Sequence, residues 1–357
     1  MASGLSAEVV STLQSARAGS TRRQYDSKWR QFECWCLRQD PQVDPDQAPA
    51  ETVLSFLQSI LEQGRCYSTL KGLVAAISAC REGLDLAPVA EHRLVKDFLK
   101  ATKRRSSTAR SLVPSWDLAV VLDALSGPPF EPIESLDLKL LSLKTLFLVA
   151  ITTSKRVSDL RALSISERCF SMDPEGRRVL LQPDLSFVTK TQVVAGRPVE
   201  LPAFHPPPFA SPEDRRLNCV CPVRALRQYV RKTAVIRGSV SQLFVTHGPG
   251  KAAGKPAASP TLSRWILDAI RLAYSSKGLD VPDGLRAHST RAMASSWAVA
   301  KGVSIQEVCL AANWSSSATF ATFYRLDVSA SSMAHAVLEV GDPSFQALDL
   351  TSRGGSV

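Results

Sequence analysis

Residues 285–291 read Leu285-Arg286-Ala287-His288-Ser289-Thr290-Arg291, at the start of a helical stretch running over Thr290–Lys301. A histidine and an arginine three positions apart share one face of a helical turn, so the pair can address a single anion. Downstream, Ser304-Ile305-Gln306-Glu307 has the capping-box pattern and predicts a helix through Cys309 to Ala312. Asn313-Trp314 follows it, and ten residues after Trp314 comes Tyr324, in Phe323-Tyr324-Arg325. Upstream, an apolar helix predicted from Asp137 to about Thr153 runs into Thr153-Ser154-Lys155-Arg156-Val157-Ser158-Asp159-Leu160. An arginine at the end of such a helix needs a partner if it is buried, and Asp159, three residues on, supplies one.

Between these segments lie three β-like runs, Arg178–Gln182, Leu185–Lys190 and Arg197–Leu201. The last two are read as a hairpin closed through Ala195-Gly196, with Lys190 projecting from the end of its strand. A Pro-rich loop, Pro206-Pro207-Pro208-Phe209-Ala210-Ser211-Pro212, then interrupts regular structure before helices resume near Pro222–Lys232 and Leu262–Tyr274.

The first hundred residues read as helices only. In Thr21–Leu37 the residues Tyr25, Trp29, Phe32 and Cys36 recur at i, i+4, i+7 and i+11, an amphipathic pattern. Arg22, Arg23, Lys28 and Arg30 lie on its other face, where they can meet phosphates or simply water. Further helices are predicted near Glu51–Leu61, Ser68–Arg81 and Glu91–Thr102, with Leu70, Leu73, Ile77 and Cys80 facing inward; Trp29 and Trp35 read as core. Lys103-Arg104-Arg105-Ser106-Ser107-Thr108-Ala109-Arg110 is basic and aperiodic, the signature of a linker able to contact a DNA backbone or serve as a nuclear import signal. The expected organisation is a helical DNA-binding domain over 1–102, a basic linker over 103–114, a second domain over 115–342 and a disordered tail over 343–357. The fold class expected is mostly α with a small antiparallel sheet in the second domain.

Bulk properties narrow the partners. The 357 residues carry 43 Lys+Arg against 33 Asp+Glu, a formal charge of +10. Residues 1–110 hold 16 against 12, which leaves +6 for the remainder, so both halves are basic. That distribution suits a protein gripping a polyanionic duplex from two sides. The longest apolar stretches, such as Leu146–Ile151, are far short of the roughly 20 residues a spanning helix needs, and the Met-Ala-Ser-Gly start lacks a secretory pattern. No membrane association is expected, and a reducing compartment is. Cys34 with Cys36 and Cys219 with Cys221 are separated by one residue, not by zinc-site spacing. His247 and His335 match no motif and read as surface or loop residues.

In order, the site segments present Arg156, Lys190, His288, Arg291, Trp314 and Tyr324, and here the chain resembles the tyrosine recombinase, or phage integrase, superfamily. Its catalytic set is Arg, Lys, His-x-x-Arg, His or Trp, then Tyr. The matching segments span about Thr152 to Tyr324, and the preceding helices resemble the core-binding domain of a two-domain clamp. Trp in the fifth position is similar to Cre-type members. Thr-Ser-Lys-Arg-Val-Ser-Asp-Leu and Thr-Leu-Ser-Arg-Trp-Ile look like the recombinases of DIRS and Ngaro retrotransposons in animals. Two departures stand out: Ser154-Lys155 where many members have Gly and an apolar residue, and Asp159 where Glu is usual. Taken singly, His-x-x-Arg recurs by chance, Arg156 with Asp159 is a plain helix ion pair, and Trp314 or Tyr324 is core; the ordered set outweighs those readings.

The resemblance implies a site-specific recombinase that cuts and rejoins DNA through a 3′-phosphotyrosyl bond to Tyr324. Arg156 and Arg291 would hold non-bridging oxygens with planar guanidinium forks. His288 would take the proton of Tyr324, whose reference pKa is about 10; Lys190 would protonate the leaving 5′ oxygen, and Trp314 would donate to a non-bridging oxygen. No metal or other cofactor is called for. The partners implied are double-stranded DNA, further copies of the chain forming dimers and tetramers on it, with Ala330–Val340 packing on a neighbouring subunit or on its own core, and a reverse transcriptase of the same element. The location implied is nuclear in a eukaryote and cytoplasmic otherwise. A catalytically silent DNA-binding descendant and a type IB topoisomerase are the competing readings.

Overall fold

The computed structural model describes residues 6–81, 88–105, 111–189, 198–248 and 250–328. The chain divides into two compact units between Arg110 and Ser111.

Among the described residues the regular structure of the first unit is helical: α1 (Ala7–Ser15), α2 (Gly19–Cys36), α3 (Ala50–Glu62), α4 (Tyr67–Cys80) and α5 (Arg93–Arg105). The i, i+4, i+7 pattern of α2 buries Phe32 and Cys36 against Phe56 and Leu57 of α3 and Leu70, Leu73 and Ile77 of α4. Trp29 and Trp35 flank this core, their rings 5.8 Å from Phe32 and 5.6 Å from Phe56 respectively. Lys103, Arg104 and Arg105, expected in the linker, instead form the last turn of α5. Lysine and arginine are good helix formers and are favoured at a C-terminus, where carbonyl dipoles carry partial negative charge.

The second unit starts with α6 (Leu118–Leu125), whose N-cap Asp117 accepts the Ala119 N–H at 2.8 Å. At its centre lies α7 (Leu138–Thr153), capped by Asp137 and buried on nearly every side. A helix apolar all round must be enclosed, and α10 (Pro222–Arg237) and α11 (Ser259–Ser276) enclose it, joining Leu146, Phe147, Leu226, Tyr229, Ile266 and Ile270 in one core. α8 (Val157–Ala162) and α9 (Pro212–Asn218) are single short helices. Within α7 the fully buried Lys144 donates to the carbonyls of Leu125 (2.8 Å) and Phe130 (3.1 Å) and pairs closely with Glu131. Arg224 of α10 completes the cluster with two bonds to the same carboxylate, at 2.7 and 3.0 Å.

The sheet is small and antiparallel, built on β1 (Leu163–Ser164), β2 (Phe170–Met172), β3 (Arg178–Pro183) and β4 (Val199–Pro202), all three others pairing with β3. Leu201 of β4 stands opposite Val179 of β3. The expected hairpin between Leu185–Lys190 and Arg197–Leu201 would close through residues 190–197, which lie outside the described residues. Asp184 accepts both the Ser186 N–H (3.0 Å) and the Ser186 hydroxyl (2.6 Å), so the chain turns at Leu185-Ser186 and β4 pairs with β3. An aspartate bonding two residues ahead competes with strand pairing.

Three helices close the described chain: α12 (Ser289–Ala300), α13 (Ile305–Ala311) and α14 (Ser317–Phe323). Ser304 and Glu307 form the capping box that starts α13. Lys190, Ala330–Val340, His335 and the 343–357 tail lie outside the described residues. No described helix is long and apolar enough to cross a membrane. His247, read as a surface or loop residue, lies half-buried in a loop, where it stacks on Trp265 at 4.8 Å with its Nε2 buried, and burial lowers its pKa.

Candidate active site

Each site residue is delivered by the end of a helix. α7 stops at Ser154, whose φ of 49° is left-handed. Glycine adopts that conformation without cost and other residues adopt it sparingly; the turn places Lys155 and Arg156 back against the core. Lys155 is only 5% exposed. Arg156 caps α8, its N–H reaching Asp159 at 3.4 Å and its Nη1 lying 4.0 Å from the same carboxylate. Asp159 is buried, so the expected ion pair is formed at the helix start.

His288 sits at the N-cap of α12 and Arg291 in its first turn. Trp116 donates from Nε1 to the Ser289 hydroxyl (2.8 Å), which in turn donates to the Arg286 carbonyl (2.6 Å), so the turn carrying His288 is fixed from the start of the second unit. Trp314 is delivered by a Schellman ending to α13. Asn313 takes φ 52°, its N–H bonds Leu310 O at 3.2 Å, and the Trp314 N–H bonds Cys309 O at 2.8 Å. Tyr324 terminates α14.

These ends converge. His288 Nε2 and the Tyr324 hydroxyl are 3.0 Å apart. The Trp314 ring lies 4.5 Å from that of Tyr324, and the Arg291 guanidinium lies 4.7 Å from the Trp314 ring and 5.3 Å from that of Tyr324. Arg291 is 1% exposed and donates one bond, to the Ala312 carbonyl. Its remaining Nε and Nη1, with Arg156 Nη1 and Trp314 Nε1, are buried without a hydrogen-bond partner. Burial, then the charge of Arg156, pulls the pKa of Arg291 down to about 10, against the opposing effects of Tyr324 and Asp159. It therefore stays cationic at neutral pH. Burial likewise lowers Lys155, opposed by Asp159 and reinforced by Arg291 and Arg156. The cationic groups of Arg291, Arg156 and Lys155 thus lie together, Arg291 against the Tyr324 ring, with Asp159 the carboxylate among these residues.

Five of the six sequence-derived catalytic residues are brought together, and the sixth, Lys190, is outside the described residues. Among the basic residues of the first unit, Arg22, Arg23, Arg30, Lys103, Arg104 and Arg105 are exposed. Lys28 departs from the expected phosphate-facing role: it is half-buried, and its ammonium occupies the space a β-carbon at Gly72 of α4 would need. Trp116, Ser289 and Ser296 escaped the sequence reading, because their bonds join positions distant in the chain. Among the described residues no His, Cys, Asp and Glu cluster suits a metal ion, and all eight cysteines are free.

No protein-family model matches the sequence, and no curated protein is significantly similar to it. Solved structures do match in fold. The Tn1549 transposon integrase in complex with transposon right end DNA superposes with a TM-score of 0.56 at 14% identity, covering 90% of this chain and 93% of that one. A lambda integrase (75-356) dimer bound to a COC' core site gives 0.52 at 16% identity, with 91% and 95% covered. A lambda integrase tetramer bound to a Holliday junction gives 0.50 at 16%, with 87% and 74% covered. The fold is that of the tyrosine recombinases.

Proposed function

We propose that this chain is a site-specific DNA recombinase that cleaves and rejoins DNA through a 3′-phosphotyrosyl bond to Tyr324. The observation that carries the reading is the set of buried, unpartnered donors on Arg156, Arg291 and Trp314 beside a tyrosine hydroxyl already bonded to His288. Buried donors without partners are costly, and a phosphodiester's non-bridging oxygens are acceptors of the right charge. Charge grows on those oxygens during transfer, so fixed cations stabilise the transition state more than the ground state.

In the proposed step His288 accepts the Tyr324 proton, the phenolate attacks phosphorus, and the bond to the 5′ oxygen breaks. Lys190 gives the leaving oxygen its proton. A 5′ hydroxyl from a second strand then attacks the phosphotyrosine, and Tyr324 leaves as the phenol. The bond energy is retained, so rejoining needs no ATP. We further read the chain as binding duplex DNA as dimers and tetramers, serving integration of a DIRS- or Ngaro-type element beside its reverse transcriptase, in the nucleus of a eukaryote. The assemblies of lambda integrase on DNA support the first part; the wording around Arg156 supports the second.

Nicked suicide duplexes drawn from the element's termini test the reading. A denaturant-resistant protein–DNA adduct is expected with wild type and not with Tyr324→Phe. An adduct that persists in Tyr324→Phe overturns the assignment. Binding without adduct indicates a silent DNA-binding protein, and relaxed plasmid without recombined junctions indicates a topoisomerase.

A further inference from the structure

The main chain on the C-terminal side of Tyr324, its own carbonyl and the Leu326 N–H, is tied to one side chain. Ser296 of α12, 3% exposed, donates from Oγ to the Tyr324 carbonyl (3.2 Å) and accepts from the Leu326 N–H (2.8 Å). A hydroxyl offers one proton and two lone pairs, so one serine can bridge a carbonyl and an N–H two residues apart. The need for such a bridge follows from α14, which has seven residues. A helix that short has little stability of its own. The Tyr324 and Arg325 N–H groups both turn back to the Phe320 carbonyl at 2.9 Å, which leaves the carbonyl of Tyr324 to be fixed from elsewhere.

His288 stands at the start of α12, and Ser296 lies eight residues further along it, about 12 Å by the helical rise. One rigid element therefore holds both the group facing the Tyr324 hydroxyl and the group anchoring its backbone. A second tether, from the Asp327 N–H to the Leu112 carbonyl at 2.9 Å, lies beyond the pair. It keeps the segment docked whether or not Ser296 is present.

We propose that Ser296 is the positioning residue for Tyr324: its two hydrogen bonds set the backbone at the nucleophile so that the hydroxyl stays in register with His288 and the phosphate donors. The inference rests on the reading of Tyr324 as nucleophile. The Asp327–Leu112 bond and the packing of Phe320 with Trp314 do not involve Ser296, so Ser296→Ala is expected to retain the fold.

The experiment uses the full chain as wild type, Ser296→Ala, Ser296→Thr and Tyr324→Phe on a nicked suicide duplex. It measures the adduct rate at saturating DNA, the half-saturating DNA concentration and the pH profile. Ser296→Ala is expected to lower the saturating rate about 100-fold, the scale of a misplaced reacting group, with half-saturation and pH profile unchanged. Ser296→Thr, which keeps the hydroxyl, is expected to recover most of the loss. A wild-type rate in Ser296→Ala, a parallel loss of DNA affinity, or a threonine variant no faster than alanine overturns the proposal. Absence of adduct with wild type itself removes the nucleophile reading, and the inference with it.

Discussion

The Tyr324 hydroxyl lies 3.0 Å from Nε2 of His288, on a histidine that is itself exposed to solvent. A base within hydrogen-bond reach of a phenol, with water beyond it to carry the proton away, is arranged for general-base assistance. His288→Ala is therefore expected to slow adduct formation by about 10²–10⁴-fold while leaving DNA affinity within a few-fold. Single-turnover cleavage with a parallel binding titration checks this; an equal loss in both would assign His288 to DNA binding instead.

Arg291 contacts the faces of Trp314 and Tyr324 while its Nε and Nη1 remain unpartnered. Lysine would keep the charge and lose the fork. Arg291→Lys is expected to reduce the saturating cleavage rate about 10²–10³-fold, comparable to removing one transition-state donor. A rate near wild type would mean that charge alone suffices there.

Glu131 holds the fully buried Lys144. Burial by itself would raise the Glu131 pKa, but the bonds and charges of Arg224 and Lys144 outweigh it and hold the carboxyl below its ordinary 4.5. A folded-state pKa below the unfolded one contributes stability that is present above about pH 4.5 and lost as pH falls through the folded value. Glu131→Gln is expected to cost about 3–5 kcal/mol at neutral pH by stranding Lys144, and to flatten the acid limb of stability. Urea unfolding between neutral pH and pH 3 measures both effects.

Lys155 is a buried cation beside the buried guanidinium of Arg291 and the half-buried one of Arg156, with Asp159 opposing them. Its lowered pKa means that the charged form costs folding energy at neutral pH, and that the cost fades as pH rises toward the ordinary lysine value of 10.5. Lys155→Met is expected to stabilise the DNA-free protein by about 1–2 kcal/mol at neutral pH, with the difference narrowing above pH 10. Thermal melts at the two pH values decide it; a destabilised variant would show that Asp159 depends on this lysine.

Arg22, Arg23 and Arg30 are exposed on α2. If they neutralise phosphates, the triple Gln variant should flatten the slope of log affinity against log salt by about 0.9 for each phosphate left without its arginine. The saturating cleavage rate should be unchanged. An unaltered slope would leave these residues as a solvated helix face.

Much of the site was legible before folding because it is written in local signals. The capping box at Ser304–Glu307, the cap Asp137 and the three-residue spacing of His288 and Arg291 each depend on neighbours a turn away, and each appears where the pattern put it. The α2 stripe was equally local. The signals failed where local bonds shifted a boundary: the Asp184–Ser186 turn occupies the start of the run expected as a strand from Leu185, and helix propensity carried α5 through Lys103–Arg105.

By itself the sequence determined the helical periods, the helix ends that carry Arg156, His288, Arg291 and Trp314, and the basic balance of both halves. Tertiary structure alone decided that Tyr324 terminates a helix of its own, α14, that these five residues meet, that Lys28 leans on Gly72 and that β4 pairs with β3. It also decided that Ser296 grips the chain around Tyr324, a bond spanning 28 residues. The physical reason is range. Caps and periodicity are set by interactions within one or two turns, whereas contacts between distant positions exist only once packing has closed the loops between them.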